Sequence, residues 1–404
     1  MADTNTSSVA GVLKRVYGKL TEQQNLEHKA IDQIGNSATK FNPGGAGFYG
    51  AINDWGNEAV GAINETEQFR TIQSENYKQF VVTPKINVAP IQFSGLVAAS
   101  TDGDDEAFVS AVVDGLEKAK ERLLKDENRQ FFGLGNGLMA LVGGNVASNA
   151  TSFTVDSAQY LRANQVIDIY NGATRTVASK TITQVDKVNN IAYLGAVTLG
   201  AALITTDQLV KESIRVSAPS DGKEMMGLRG IIDDSTDLTT FESLSALDNL
   251  IWRGRRIDAS SANLTSDLLQ RLLDDTKILG GASPDMLIMH QKQRRKYLDI
   301  VTPQKRYSGQ SMDAGHDKLS FNGIDLFLDE DCQQSTVYAL CKKHIQKYEL
   351  KGMHMGNHDG SDIYTRQANF DVFQAYWRHY SNFGSDKRNA HGKIVNLGSP
   401  AGVA

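Results

Sequence analysis

The segment from Gly35 to Glu75 constrains this chain more than any other. It holds Gly44-Gly45-Ala46-Gly47 and then Phe48, Tyr49, Ile52, Trp55, Val60, Ile63 and Phe69, with neither a sustained helical period nor strict alternation. A structureless connection beyond about 15 residues is uncommon in a compact domain and is usually functional or disordered. The density of aromatic residues argues against disorder. One solution is an extended β-hairpin that buries its apolar groups against another chain, with Phe48, Tyr49, Trp55 and Phe69 as the anchors.

The flanks read as a host domain carrying an insertion. Val9 to Ile34, with Val12, Val16 and Leu20 at four-residue spacing, suggests a short amphipathic helix or arm. Tyr77 to Phe93 reads as strand, with Pro84 and Pro90 marking edges or bends. Over 104–130 a helix is expected: Asp104, Asp105 and Glu106 crowd its positive end, and Phe108, Val112, Leu116, Ala119 and Leu123 line one face. Such a helix is roughly 40 Å long, and Gly133-Leu134-Gly135-Asn136-Gly137 stops it. Residues 146–216 change character. Strands recur about every ten residues with turn signals such as Asn171-Gly172, the pattern of a small barrel or sandwich inserted into the host. Beyond it, helices are expected over 241–257 and after a Thr265 cap, ended by Gly280-Gly281. A buried strand at 286–289, a basic helix from Gln291 and further strands near 321–328, 336–340, 370–380 and 393–397 make the host α+β.

Composition excludes several classes. At 404 residues, 40% hydrophobic and 22% charged, the chain is globular and long enough for two to three domains. Nothing approaches the ~20 apolar residues of a membrane span, and the polar start Met1-Ala2-Asp3-Thr4 is no secretory signal. A formal charge of −5 argues against nucleic-acid binding by charge alone. Cys332 and Cys341 lack paired zinc spacing and read as half-buried thiols in a reducing cytosol.

The search for catalytic chemistry comes back empty. The glycines at 133–137 follow a helix instead of opening one, and no Gly-Lys-Ser/Thr occurs, so they are no phosphate loop. His354 and His358 have helical metal-ligand spacing, yet Gly352, Gly356 and Gly360 favour a solvated loop; His316 and His344 show no evident partner. Asp233, Asp234 and Asp237 fit no calcium loop and read as turn and capping residues. The basic clusters 253–256 and 292–296 suit exposed helix faces paired with acidic neighbours. No G-x-S-x-G elbow is present. No cofactor and no metal is expected.

The order of these parts, together with short motifs, resembles the major capsid proteins of tailed bacteriophages, the Hong Kong 97-type shell fold. Gly61-Ala62-Ile63-Asn64-Glu65-Thr66-Glu67 followed by Tyr77-Lys78-Gln79-Phe80-Val81-Val82-Thr83-Pro84-Lys85 looks like the family's extended loop returning into its strand. Asn128-Arg129 and Gly133 to Gly137 are similar to the end of the spine helix. Met225-Met226-Gly227-Leu228-Arg229-Gly230-Ile231-Ile232-Asp233 resembles the re-entry into the shell domain, and Phe321 to Leu326 and Asn389 to Ile394 resemble late strands.

The resemblance implies an N-terminal arm (1–34), an extended loop (35–76), a peripheral domain with its spine helix (77–145), an inserted β-barrel-like module (146–216) and the rest of the peripheral and axial domains (217–404). It implies a structural protein, not an enzyme: pentamers and hexamers of many copies form an icosahedral head, into which a motor drives double-stranded DNA. Portal and decoration proteins are possible partners. No long helical scaffolding segment precedes the arm, so the resemblance implies separate scaffolding or none. An encapsulin-like compartment and a metal-dependent metabolic enzyme using the aspartates near Asp233 are the rival readings.

Overall fold

The computed structural model of the chain describes residues 30–35, 47–96, 105–216, 222–305, 319–355, 365–366 and 369–398. The expected arm therefore lies outside the described residues, except for one 3-10 turn at Ala30–Gln33. His316, His358 and the side chains of Trp55, Phe108 and Val112 also lie outside them.

Strands β1 (Phe48–Trp55) and β2 (Asn76–Val82) pair antiparallel, with Phe48 opposite Val82 and Ile52 opposite Lys78. β3 (Lys85–Ser94) follows directly, and then helix α1 (Asp105–Phe131), one residue displaced from the span expected. Its last turn runs into Phe131 and Phe132, both fully buried, and Gly135 and Gly137 then take φ of 77° and 73°, where a side chain is disfavoured.

Residues after α1 build a separate unit. β4 (Leu138–Leu141), β6 (Val166–Asn171), β7 (Thr174–Thr181) and β10 (Gln208–Lys211) form one sheet in the order β4-β10-β6-β7. β5 (Ser152–Thr154), β8 (Gln184–Asp186) and β9 (Ile191–Tyr193) form another. Between them lies a core of their own, including Phe153, Leu161, Ile167, Ile169, Ile182 and Leu209. β4 is hydrogen-bonded to β10 ahead of the glycines at 143–144. Its two ends meet: Gly222 packs on the backbone of Gly135 and Asn136 so tightly that any side chain there would strike it.

The chain then passes through α2 (Leu228–Ile231), β11 (Thr240–Phe241), β12 (Leu244–Ser245) and β13 (Arg255–Asp258). No helix spans 241–257. Leu244, Leu247, Ile251 and Trp252 have helical spacing, but Leu247 and Ile251 are exposed, and burial falls instead on Phe241, Leu244 and Trp252. Glu242 and Ser243 take φ of 48° and 70°, making a tight β-turn that no helix accommodates.

Helix α3 (Ser266–Gly280) starts where Thr265 Oγ1 accepts the Leu268 amide at 3.2 Å and stops at Gly281 with φ 59°. Next come β14 (Met286–Met289), α4 (Gln291–Lys305), β15 (Ser320–Phe321), β16 (Ile324–Leu328) and β17 (Val337–Leu340). The chain closes with β18 (Ile345–Met355), β19 (Thr365–Arg366), β20 (Val372–Ser385) and β21 (Gly392–Val395). A mixed six-stranded sheet, β13-β21-β17-β14-β16-β15, packs its Leu287, Met289, Val337 and Ile394 against Leu269, Leu272 and Leu273 of α3. The long β20 pairs β18 on one side and β3 on the other, and α1 lies along this second sheet through the Trp377 indole, which donates to the Leu116 carbonyl at 3.0 Å.

Candidate functional site

The β1–β2 pair is the root of a ribbon that leaves the body. Residues 56–75 carry no regular secondary structure beyond one turn at 65–66, yet they are ordered by their own polar groups. Asn57 Oδ1 accepts from the amides of Ala59 (3.0 Å) and Gln73 (3.1 Å), tying the outgoing limb to the returning one. At the tip, Glu67 Oε2 accepts from the Asn64 amide at 3.0 Å, and the Glu67 amide donates to the Asn64 carbonyl at 3.1 Å. The Arg70 guanidinium lies across Gly61, where a side chain would collide with it.

Among its polar residues the ribbon exposes several large apolar side chains. Val60 and Phe69 are each 83% exposed and Ile72 is 82% exposed, with Tyr77 and Ile63 also open. Isolated surface apolar residues are ordinary, but a concentration on one projecting element marks an interaction surface. Of the residues singled out from sequence, Phe69 and Tyr49 are exposed, whereas Phe48 is engaged within the chain. Its ring lies 4.6 Å from that of Tyr348, and Ile52, Phe80 and Val82 join it in sealing the root to the main core. The Phe80 ring sits 5.1 Å from Trp252.

Beneath the root, the last turns of α1 carry a buried polar network. His379 lies between Glu127, at 2.6 Å from Nδ1, and Glu349, at 3.1 Å from Nε2. Asn128 Nδ2 donates to Asp331 at 2.8 Å and Asp329 at 3.1 Å, while Asp329 also accepts the Ala30 amide at 2.7 Å. Arg129 pairs with Asp126 at 3.1 Å and with Glu224. Although burial works the other way, Arg129 and Lys211 hold the Asp126 carboxyl well below the usual carboxylate range. The inserted unit grips the same region: the Tyr160 hydroxyl donates to the Asp331 carbonyl at 2.6 Å, and Lys211 reaches Asp126 at 2.9 Å.

No protein-family model and no curated protein matches this chain. Solved structures do. A chain of the Cyanophage A-1(L) capsid aligns over 97% of this chain and 99% of its own length, at 10% identity and a TM-score of 0.56. The capsid of a native GTA particle aligns over 97% and 99%, at 9% identity and a TM-score of 0.51. The chain has the Hong Kong 97-type capsid fold. The SrpI encapsulin of Synechococcus elongatus PCC 7942 is also similar to it, over 97% of this chain and 95% of that one, at 8% identity and a TM-score of 0.45.

Within the shell fold the sequence's other candidates have structural partners. Asp233 Oδ2 accepts from the amides of Ser235, Asp237 and Leu238, and Asp234 caps Thr236, so both work as turn residues. Asp237 pairs with Arg229 at 2.9 Å. Among the described residues no cluster of His, Cys, Asp or Glu is placed to hold a metal. Four expectations need correction. His354 sits on β18, its ring 5.6 Å from Tyr380, and not in a loop. His344 does have a partner, Asp386 at 3.0 Å. Residues 253–256 are extended, with Arg255 bound to Asp275 at 2.6 Å. Both thiols are buried, Cys332 completely.

Sequence reasoning missed Arg388, which is fully buried and donates to the carbonyls of Ile231 (2.7 Å), Trp252 (2.7 Å), Gly230 (3.0 Å) and Asp233 (3.2 Å). Its guanidinium also lies 4.1 Å over the Phe241 ring. Nothing in the local run Asp386-Lys387-Arg388-Asn389 distinguishes it from a surface arginine.

Proposed function

We propose that this chain is a major capsid subunit: many copies form the pentamers and hexamers of an icosahedral phage head around packaged double-stranded DNA. One observation carries the reading. A ribbon built by its own hydrogen bonds projects Val60, Phe69 and Ile72 into solvent from a chain with a capsid fold, and its own body leaves them uncovered. A shell subunit needs contact area on several neighbours more than it needs a larger core, and a projecting ribbon supplies that area. Repetition of one such contact under closed symmetry builds a particle. Residues 35–75 then lie across an adjacent subunit, with Phe69, Tyr49 and Trp55 as anchors. Scaffolding, portal and decoration proteins are separate chains, and the subunit is made in the cytoplasm of the bacterial host and ends in the virion. A net charge of −5 suits a wall into which DNA is driven rather than attracted.

Electron microscopy of the purified protein, with nuclease treatment of what it contains, tests the proposal. Closed particles holding nuclease-protected DNA support it. Particles filled with protein cargo point to an encapsulin-like compartment, and a small stable oligomer points to an enzyme; either outcome replaces it.

A further inference from the structure

The root of the ribbon closes over a carboxyl group that has no hydrogen-bond partner among the described residues. Glu242 stands in the two-residue turn between β11 and β12, where both Glu242 and Ser243 adopt the left-handed region that Asn and Gly usually occupy. Its carbonyl accepts the Val81 amide of β2 at 3.0 Å, the hydrogen bond that joins the ribbon's returning strand to this turn. The residue as a whole is half-buried, but both carboxyl oxygens are sealed from solvent and neither has a hydrogen-bond partner among the described residues. The space they occupy exists because residue 384 is glycine. A Cβ there would come within 2.7 Å of Glu242 Oε1, 2.9 Å of Tyr348 Cε2 and 2.9 Å of Val82 Cγ2. The carboxyl thus lies between β2, β18 and β20.

The charged and titratable groups around it leave it uncompensated. Tyr348 of β18 is neutral, with burial and the nearby Glu242 and Asp386 pushing its hydroxyl up. Arg388, after β20, is the cation acting on the carboxyl, but its donors are committed to four backbone carbonyls. Asp386 is a like charge and is paired with His344. Lys78, on β2, is bonded to Asn249. An ionised carboxylate with no hydrogen bond in such a site is strongly disfavoured, and burial raises the Glu242 carboxyl well above its ordinary range.

We propose that Glu242 is a proton-operated latch at the root of the ribbon: neutral while β2 is seated on the body, ionised when β2 lifts. Seating therefore takes up one proton. Between the carboxyl's ordinary value near 4.3 and its raised value in the seated state, rising pH favours release and falling pH favours seating. The limit for one proton is about tenfold in the seating equilibrium per pH unit. The device belongs to a single chain and does not depend on whether chains assemble into a shell.

Amide hydrogen exchange on the full-length unassembled subunit tests it, with rates divided by the intrinsic chemical rate at each pH. The Val81 protection factor should fall with rising pH by up to about tenfold per unit. In Glu242→Gln the Val81 slope should vanish. A wild-type Val81 profile that is flat across pH 5–8, or a variant that keeps the wild-type slope, overturns the latch. If the variant does not fold, the wild type decides alone: a Val81 protection factor that falls with rising pH supports the latch, and a flat one overturns it.

Discussion

Replacing Phe69 with Ala should separate assembly from folding. Full burial of a Phe side chain is worth roughly 1.5–3 kcal/mol. With Phe69 83% exposed, about four-fifths of that gain is still open in the lone chain, about 2 kcal/mol. If a neighbouring copy covers the ring, Phe69→Ala removes that contribution once per subunit, because each subunit donates one ribbon. At 1.36 kcal/mol per factor of ten, the concentration threshold for assembly should rise about 30-fold. The fold itself should hardly notice, since exposed substitutions stay within about 0.5 kcal/mol. Light scattering against protein concentration, at fixed salt and temperature, reads the threshold, and thermal melting of the unassembled subunit reads the fold. Phe69→Leu should fall between the two. An unchanged threshold would refute the reasoning, and so would a melting temperature that drops in step with assembly.

Three further outcomes are expected. Arg388→Met should lose at least about 3 kcal/mol, because buried carbonyls of residues 230, 231 and 252 are left without their donor; urea unfolding followed by tryptophan fluorescence measures it, and a loss below about 1 kcal/mol would contradict it. His391 is fully buried, accepts the Cys341 amide on Nδ1 at 3.2 Å, and burial lowers its value to about 3. The unfolded chain takes up this proton near pH 6.5 while the folded chain does not, so stability should fall as pH drops from about 6.5 toward the folded value, less steeply in His391→Gln. Replacing 138–221 with a short linker should leave a host that folds, because Gly222 already packs on Gly135 and Asn136. Its melting temperature should drop through loss of the Tyr160 and Lys211 contacts; an unchanged value would show that the inserted unit does not brace the host.

Where local chemistry and global fold agree, the sequence was legible. The acidic start, apolar stripe and glycine stop of α1 placed it within one residue at each end, and the Thr265 cap and Gly281 stop of α3 mark its true limits. The ribbon was legible as an anomaly, because its aromatics obey neither helical nor strand period. Failures came where distant contacts override local pattern. Leu244, Leu247 and Ile251 imitate a helix, but Trp252 and Phe241 are drawn inward by Arg388, more than a hundred residues away in sequence, and the chain turns instead. The strand expected over 370–380 runs on as buried strand to Ser385, where Asn382 and Ser381 find partners in Thr83 and Met225. Phe48 was read as an anchor for a neighbour, and only the position of Tyr348 shows where it packs. Glu242 could not have been found at all, since its isolation depends on a glycine at position 384 and a turn geometry that its own residue types do not favour.

The central claim is that the ribbon's apolar side chains find their cover on another copy. Cryo-electron microscopy of the purified full-length protein at assembly-competent concentration tests it most directly. The account predicts closed particles in which Val60, Phe69 and Ile72 of each subunit are buried against a neighbour. A lone molecule at high concentration with residues 56–75 folded back onto its own body would contradict it.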